Sequence, residues 1–334
     1  MKVSVEARYY PNLIAHAFAV MGLANSIDTY SPEIPALRDR FATAAKDLVG
    51  QGSDFRFRAP LAGGPLFTFI YQIPSYLDVS DSASLDEVYS ISADCMVSGS
   101  VEPYFERYPE KREFGQPFYV ELPIMLASRG QTTAGGADPR VAFIRNMASF
   151  LKSIAADHFD SWWPAWRQTL SRRGQALEAM LEPLDLVGAW ERRLGVPYPF
   201  RSFSVLLSIP DRTAASSVGP EAIVAGNRLS DEQIVASALH ETGVRMFFST
   251  PFFAEAWKNK TDLRSYEHVL LCVEAAACVE KVRIARDMGM ERVVEDDSFV
   301  RIMGLEELVK VWTATTGDSV DQRLRRMVEG TRHG

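Results

Sequence analysis

The sequence contains few cysteines and no long apolar run, and each absence excludes a class of protein. Its 334 residues include three cysteines, Cys95, Cys272 and Cys278, which are too few and too scattered for a disulfide framework or a four-cysteine zinc site. No stretch reaches the roughly 18 consecutive apolar residues that a membrane-spanning helix needs. The first residues show no convincing signal-peptide pattern. We therefore expect a soluble, cytoplasmic protein without a membrane partner.

The sequence also lacks a run of lysine and arginine residues long enough to suggest a basic patch. Its formal net charge is −7, and such an acidic balance argues against a general nucleic-acid binder, which would present a basic face. Hydrophobic residues make up 47% of the chain, which is ordinary for a globular protein with a real core. Composition thus predicts a folded protein that does not bind nucleic acid, and leaves its activity open.

The most informative stretch is Leu229 to Phe248, where the pattern predicts a capped helix. Ser230 followed three residues later by Gln233 is the signature of a capping box. Four apolar residues then recur at helical spacing: Ile234, Val235, Ala238 and Leu239. Continued to the third turn, this pattern places His240 and Glu241 on or beside the buried face. The sequence therefore places a titratable pair against a core.

His240 and Glu241 form the first half of the His-Glu-x-x-His signature. In that motif two histidines one turn apart bind Zn²⁺, and the glutamate activates the zinc-bound water. The second histidine is missing, because Val244 stands four residues after His240 and offers no lone pair. Arg245 follows, and its spacing from Glu241 is also that of an ordinary ion pair on one helix face. The motif by itself supplies one good metal ligand instead of two.

A second carboxylate, Glu274, lies in an apolar stripe of the predicted helix from Leu263 to Asp287. Its neighbours one turn before and after are apolar or small: Leu270, Leu271, Ala277 and Cys278. Burial of an unpaired carboxylate in such a setting costs several kcal/mol or forces the group to become protonated. Glu274 therefore needs a partner, which a metal ion, an arginine or a hydrogen bond to the protonated acid would each provide.

The element pattern predicts an α+β protein that is mostly helical, with a small sheet or β-hairpin beside the motif helix. Phe203 to Ile209 and Glu221 to Ala225 have extended patterns separated by turn residues, which favours a hairpin. An extended edge of this kind could hold a peptide or protein ligand by strand addition. After the helix that carries Glu274, the residues from Phe299 to Val328 are typical of two helices joined at Thr316-Gly317.

A loop with the core Gly-Gln-Thr-Thr-Ala-Gly-Gly, from Arg129 to Asp138, is the best internal boundary. It divides the chain into an N-terminal helical or mixed region, residues 1–138, and a second region, residues 139–334. A continuous single domain is the alternative. Pro139 opens a long helical stretch, with Pro164 as a candidate kink.

The order of these pieces resembles the zincin metallopeptidases of the gluzincin type. A long helical first part, a hairpin, a helix with His-Glu and a following helix with Glu-Ala-Ala-Ala appear in sequence. The run from Phe150 to Ala277 is similar to an uncharacterised group of bacterial zincin-like domains, in which a strand that ends near a Leu-Ser pair, here Leu207-Ser208, precedes the motif. The resemblance implies a zincin-like fold for residues 139–334.

The resemblance also implies roles for single residues. His240 matches the first zinc ligand, Glu241 the general base and Glu274 the third ligand. Tyr266 would donate a hydrogen bond to the oxyanion, as tyrosines do in several zincins. Val244 departs from the family pattern, which makes the motif a degenerate His-Glu-x-x-Val.

Two functions follow from this degenerate motif. The favoured one is a metal-free scaffold, non-catalytic or repurposed, that binds or regulates a peptide or protein and has no cofactor; Arg245 would then supply the charge of the lost cation. The alternative is a zinc-dependent hydrolase of peptide or amide bonds, with an extra ligand such as His268 or His158. Metal-free chemistry with Glu241 as acid or base is a third interpretation that no residue singles out.

Overall fold

The computed structural model describes residues 2–22, 31–53, 79–98, 100, 102–109, 139–208, 215–219, 221–226, 228–258, 263–290, 298–317 and 319–331. These residues form mostly helices together with a small sheet, which confirms the predicted mostly helical α+β class. The loop predicted at Arg129 to Asp138 lies outside the described residues, so the division between residues 138 and 139 stays a prediction. No described helix is long and apolar enough to cross a membrane.

The chain forms two compact units. The motif unit consists of Met1–Ser4, Leu177–Phe203 and Ser230–Gly334, and the sheet unit consists of Val5–Ala176 and Ser204–Leu229. The motif unit contains all the candidate site residues except His158, which belongs to the sheet unit.

Helices of the sheet unit pack around one central helix. The helices are α1 (Tyr9–Val20), α2 (Ile34–Ser53), α3 (Leu85–Ser98), α4 (Glu102–Arg107), α5 (Pro139–Ile154) and most of α6 (Asp160–Leu181). Helix α5 packs against α1, α2 and α3. Its apolar residues recur at helical spacing, and Phe143, Ile144, Met147 and Leu151 are buried.

A π-helical turn, Ala155–Phe159, separates α5 from α6, and α6 continues through Pro164. The irregularity thus precedes the proline.

The four strands are β1 (Val3–Glu6), β2 (Phe203–Ser208), β3 (Ser216–Ser217) and β4 (Ala222–Gly226), in the order β1-β2-β4-β3. Strands β2 and β4 pair in parallel, with Val205 opposite Ile223, so the hairpin predicted from these two segments is wrong. Every residue of both strands is buried, as is typical of strands in a parallel arrangement, whereas the prediction relied on alternation. The antiparallel partner of β4 is the two-residue strand β3.

The motif unit is helical. After a 3₁₀ turn, Glu182–Leu184, its helices are α7 (Leu186–Leu194), α8 (Asp231–Phe248), α9 (Pro251–Lys258), α10 (Leu263–Asp287), α11 (Ser298–Met303), α12 (Glu306–Ala314) and α13 (Val320–Thr331). Helix α10 packs against α7, α8, α9, α12 and α13, which makes it the centre of the unit. The C-terminal region has three helices instead of the predicted two, because Gly304 adopts φ 65° and ends α11.

Helices α7 and α8 approach closely at a glycine. The indole of Trp190 is fully buried, and its Nε1 donates a hydrogen bond to the carbonyl oxygen of Leu239 at 2.7 Å. A Cβ atom on Gly243 would lie 2.2 Å from the Trp190 ring. The absence of a side chain at position 243 is therefore what admits the tryptophan.

A buried carboxylate joins four helices of the motif unit. Glu280 of α10 is inaccessible to solvent and accepts hydrogen bonds from Arg193 Nε at 2.5 Å, Arg283 Nη1 at 2.7 Å and Trp312 Nε1 at 2.9 Å; Arg323 Nη1 lies at 3.4 Å. Burial by itself raises the pKa of Glu280, but the hydrogen bonds from Arg193 and Trp312 and the nearby guanidinium charges outweigh it. The pKa of Glu280 therefore lies below its usual value.

We expect Gly243→Ala to lower the stability of the protein by about 1–3 kcal/mol, the cost typical of an overpacked core. The new methyl group would collide with the Trp190 ring, which its hydrogen bond to Leu239 holds in place. Gly50→Ala is the matched control, because a Cβ atom added at this exposed glycine of α2 would meet nothing within 4 Å, so alanine should be neutral or stabilising there. Urea unfolding of both variants checks this, and equal midpoints would refute it.

We expect Glu280→Gln to cost about 3 kcal/mol, because it leaves guanidinium groups around a neutral amide. A pKa lowered by folding stabilises the native state above the unfolded value of 4.5, and that contribution disappears as the pH falls below it. The free energy of unfolding should therefore fall less steeply in the variant than in the wild type as the pH is lowered from neutral through 4.5.

The control for Glu280→Gln is Glu255→Gln, because Glu255 forms an exposed ion pair with Arg325 at 2.7 Å. Exposed pairs contribute about 0–1 kcal/mol, so this variant should remain close to the wild type. A similar loss in the two variants would contradict a special role for the buried carboxylate.

Candidate functional site

Helix α8 begins at a complete capping box, as the sequence predicts. Gln233 N donates to Ser230 Oγ at 3.2 Å, and Ser230 N donates to Gln233 Oε1 at 2.8 Å. Because the first turn is fixed in this way, His240 falls in the third turn, where it is 8% exposed. Val244 follows one turn later and is also buried.

The partner of Glu274 is His240. Glu274 Oε2 of α10 lies 2.9 Å from His240 Nε2 of α8, and the carboxylate side chain keeps 25% exposure. Burial lowers the pKa of His240, but Cys278 and Glu274 beside the ring favour the imidazolium and outweigh this effect. The pKa of His240 is thereby raised to about 10. The requirement for a partner that the sequence indicates is met by an imidazole on the neighbouring helix.

A thiol lies at the other nitrogen of the same imidazole. Cys278 Sγ is 4.0 Å from His240 Nδ1, and Cys278 follows Glu274 by one turn of α10. The ring of Phe299 packs edge-on against the imidazole with a centroid separation of 5.2 Å. His240 therefore stands between a carboxylate and a thiol that come from the same face of one helix.

Arg245 is fully buried and pairs with Glu241. Its Nη1 donates to Glu241 Oε2 at 2.8 Å and to the backbone oxygen of Glu241 at 2.8 Å. The guanidinium carbon lies 5.0 Å from the centre of the Phe203 ring, a distance typical of a cation–π contact. The carboxylate that the resemblance designates as general base is thus bound to a permanent cation.

The described residues do not bring three protein ligands together for a zinc centre. His240 Nε2 and Glu274 Oε2 are adjacent, but Val244 occupies the place of the second histidine. The Cys278 thiol faces the opposite nitrogen of the imidazole, so one ion cannot bind both Nε2 with Glu274 and the sulfur through this ring. Among the residues that the structure describes, no group of three or more histidine, cysteine, aspartate or glutamate side chains could hold a metal ion.

The other candidate residues have separate surroundings. His268 Nε2 lies 2.8 Å from Thr331 Oγ1 and 3.7 Å from Cys272 Sγ. His158, in the sheet unit, stacks on His16 with ring centres 5.2 Å apart. Tyr266 lies in the first turn of α10, and its side chain is outside the described part of the chain.

Sequence reasoning missed Cys278 as a member of the site. It treated this residue only as one of the apolar or small neighbours of Glu274. The signal was nevertheless present, because residues four apart on a helix share a face, and a histidine that reaches Glu274 can also reach Cys278.

We expect the His240 imidazole to remain protonated at pH 8. A pKa raised by folding gives stability that is complete below the unfolded value of 6.5 and is lost as the pH rises through about 10. Side-chain ¹⁵N chemical shifts across a pH titration would measure it, and Glu274→Gln should lower the His240 pKa because the carboxylate charge is removed. A His240 that titrates near 6.5 in the wild type would rule out this electrostatic coupling.

Comparisons with known proteins leave the zincin resemblance as an expectation. No protein-family model matches the chain, and neither the curated proteins nor the solved structures searched include a match.

Proposed function

We propose that this protein is a zincin-like scaffold without a metal, in which the degenerate site has been repurposed for binding or regulating a peptide or protein. The observation that carries the proposal is the ion pair between the buried Arg245 and the partly exposed Glu241, with its 2.8 Å hydrogen bond. A general base must be able to take a proton from water. Glu241 is instead engaged by a guanidinium that donates a charge-assisted hydrogen bond to one of its oxygens.

The charge balance of the site supports the same proposal. Arg245 is a permanent cation that is excluded from solvent. A divalent ion bound nearby would be repelled by this guanidinium and would also lose its own hydration. On the opposite side, His240 and Glu274 bond to each other at 2.9 Å. Glu241 and Glu274 therefore each already have a cationic or hydrogen-bonding partner that the chain itself supplies.

A zinc-dependent hydrolase of peptide or amide bonds remains the second candidate. The specific observation in its favour is that a histidine nitrogen and a carboxylate oxygen, two groups that bind zinc, lie side by side at His240 and Glu274. It requires a further ligand that the described residues do not supply.

We expect the purified wild-type protein to contain less than stoichiometric zinc, also after incubation with Zn²⁺ and dialysis. Elemental mass spectrometry on protein prepared without a chelator or a metal-binding affinity tag measures the content. Stoichiometric zinc that disappears in His240→Ala would overturn the metal-free scaffold and favour the hydrolase. In that case Glu241→Gln should also abolish hydrolysis while the fold is retained, since a neutral amide cannot accept the proton.

Restoring the motif gives a complementary prediction. Val244→His should gain zinc affinity, because it adds a second imidazole one turn from His240 and completes a set of three ligands with Glu274. Val244→Leu is the matched control, since it alters the same buried position without adding a ligand. Calorimetric titration with Zn²⁺ compares the two. Equal affinity in both variants would contradict the convergence of His240 and Glu274 on one ion.

A further inference from the structure

We propose that Cys278 is a nucleophilic thiol that small peroxides oxidise, with His240 as the base that accepts its proton and Glu274 as the group that positions the imidazole. The proposal deepens the scaffold function and rests on it, because a zinc ion on His240 would take the nitrogen that Glu274 uses. The three side chains come from two packed helices, α8 and α10.

The geometry assigns the two ring nitrogens to different tasks. Glu274 Oε2 lies 2.9 Å from Nε2, and a carboxylate accepts the proton on that nitrogen. Cys278 Sγ faces the other nitrogen, Nδ1, at 4.0 Å, so the thiol proton can pass to Nδ1 and leave a thiolate beside an imidazolium, the charged form that the raised pKa of His240 favours. A nucleophile, a base and a third group that orients the base is the arrangement used by enzymes with activated thiols.

The same chain contains a second cysteine beside a histidine, with a different arrangement of hydrogen-bonding partners. Cys272 Sγ lies 3.7 Å from His268 Nε2, and the Thr331 hydroxyl lies 2.8 Å from that same nitrogen. Thiol and hydroxyl therefore compete for one nitrogen at His268, whereas at His240 the thiol and the carboxylate use opposite ones. This contrast separates Cys278 from a cysteine that is merely close to a histidine.

Burial does not distinguish the three cysteines, which makes the other two internal controls. Relative exposure is 5% for Cys278, 2% for Cys95 and 0% for Cys272. Burial raises the pKa values of Cys95 and Cys272 to about 11 and keeps them as thiols. Any large excess in the reactivity of Cys278 must therefore come from its neighbours.

The small exposure of Cys278 also selects the class of electrophile. A hydrogen peroxide molecule is nearly as small as water, whereas a peptide carbonyl requires an open cleft. The sulfur attacks one peroxide oxygen, the O–O bond breaks, and the thiol proton passes through His240 to the departing oxygen. Sulfur loses two electrons and becomes a sulfenic acid, and the peroxide is reduced to water.

The sulfenic acid would not be resolved by the nearest cysteine along the chain. Cys272 precedes Cys278 by six residues of α10, a rise of about 9 Å along the helix axis. A disulfide needs Cα atoms within about 7 Å of each other. The sulfenic acid must therefore be reduced by a thiol of another molecule, which makes the modification reversible.

The experiment treats the intact protein with hydrogen peroxide for set times, then unfolds it in denaturant that contains dimedone, which traps sulfenic acids, and follows each cysteine peptide by mass spectrometry. We expect Cys278 to react at least about tenfold faster than Cys95 and Cys272, given the effect of neighbouring charge on thiols. His240→Gln should reduce the Cys278 rate to the level of Cys272, and Glu274→Gln should reduce it several-fold. His268→Gln is the matched control and should leave the Cys278 rate unchanged.

Two results would overturn the proposal: equal rates for the three cysteines in the wild type, or an unchanged Cys278 rate in a folded His240→Gln variant. The wild-type comparison needs no variant, so it decides the question even if the substitutions prevent folding. Zinc content is measured on the same sample. An unreactive Cys278 in zinc-free protein refutes the thiol proposal alone, whereas an unreactive Cys278 in zinc-loaded protein refutes the scaffold function as well.

Discussion

The structure of the motif unit depends on the need to pair carboxylates that α10 carries into its interior. A buried carboxylate without partners is too costly to tolerate, so its surroundings must supply donors. Glu280 obtains them from Arg193 of α7, Arg283 of α10, Trp312 of α12 and Arg323 of α13. The donors from α7, α12 and α13 each fix one helix against α10. The position of α8 is set in turn by α7, whose Trp190 fits over Gly243.

The same constraint accounts for the chemistry of the candidate site. Glu274 lies six residues before Glu280 on α10. The partner of Glu274 is a histidine, His240, whereas the charged partners of Glu280 are arginines. An imidazole partner can release its proton, in His240 as the pH rises through about 10, whereas a guanidinium stays charged. Glu280 is therefore a fixed structural group, and Glu274 belongs to a pair whose protonation can respond to what binds or reacts beside it.

Much of the helical structure could be predicted from the sequence, because local signals determine it. The capping box at Ser230 marks the start of α8, and the helix from Leu263 to Asp287 has the predicted bounds. The sheet was harder, since the parallel pairing of β2 and β4 depends on which strand enters between β2 and β3, and turn residues do not encode that choice. The break at Gly304 was missed because a single glycine inside a helical pattern is compatible with continuation.

For the candidate site, the sequence indicated the residue types and left the pairing open. It required a partner for Glu274 but could not choose among a metal, an arginine and a hydrogen bond, because the choice depends on how α8 is rotated against α10. The rotation that places His240 on Glu274 also places Cys278 at the other nitrogen of the ring. The four-residue spacing places Glu274 and Cys278 on one face of α10, but it does not show that His240 lies between them. That placement depends on how the two helices pack.

The contrast between the two carboxylates of α10 explains why a reactive group can be accommodated beside a rigid one. Glu280 has no exposed surface and several donors, so loss of any one donor leaves it held by the others. Glu274 retains 25% exposure, so when His240 becomes neutral its charge can still be solvated. A change of charge or oxidation state at Cys278 therefore affects a partly hydrated pair about one helical turn away. The arginines around the buried Glu280, which hold the helices together, are not disturbed.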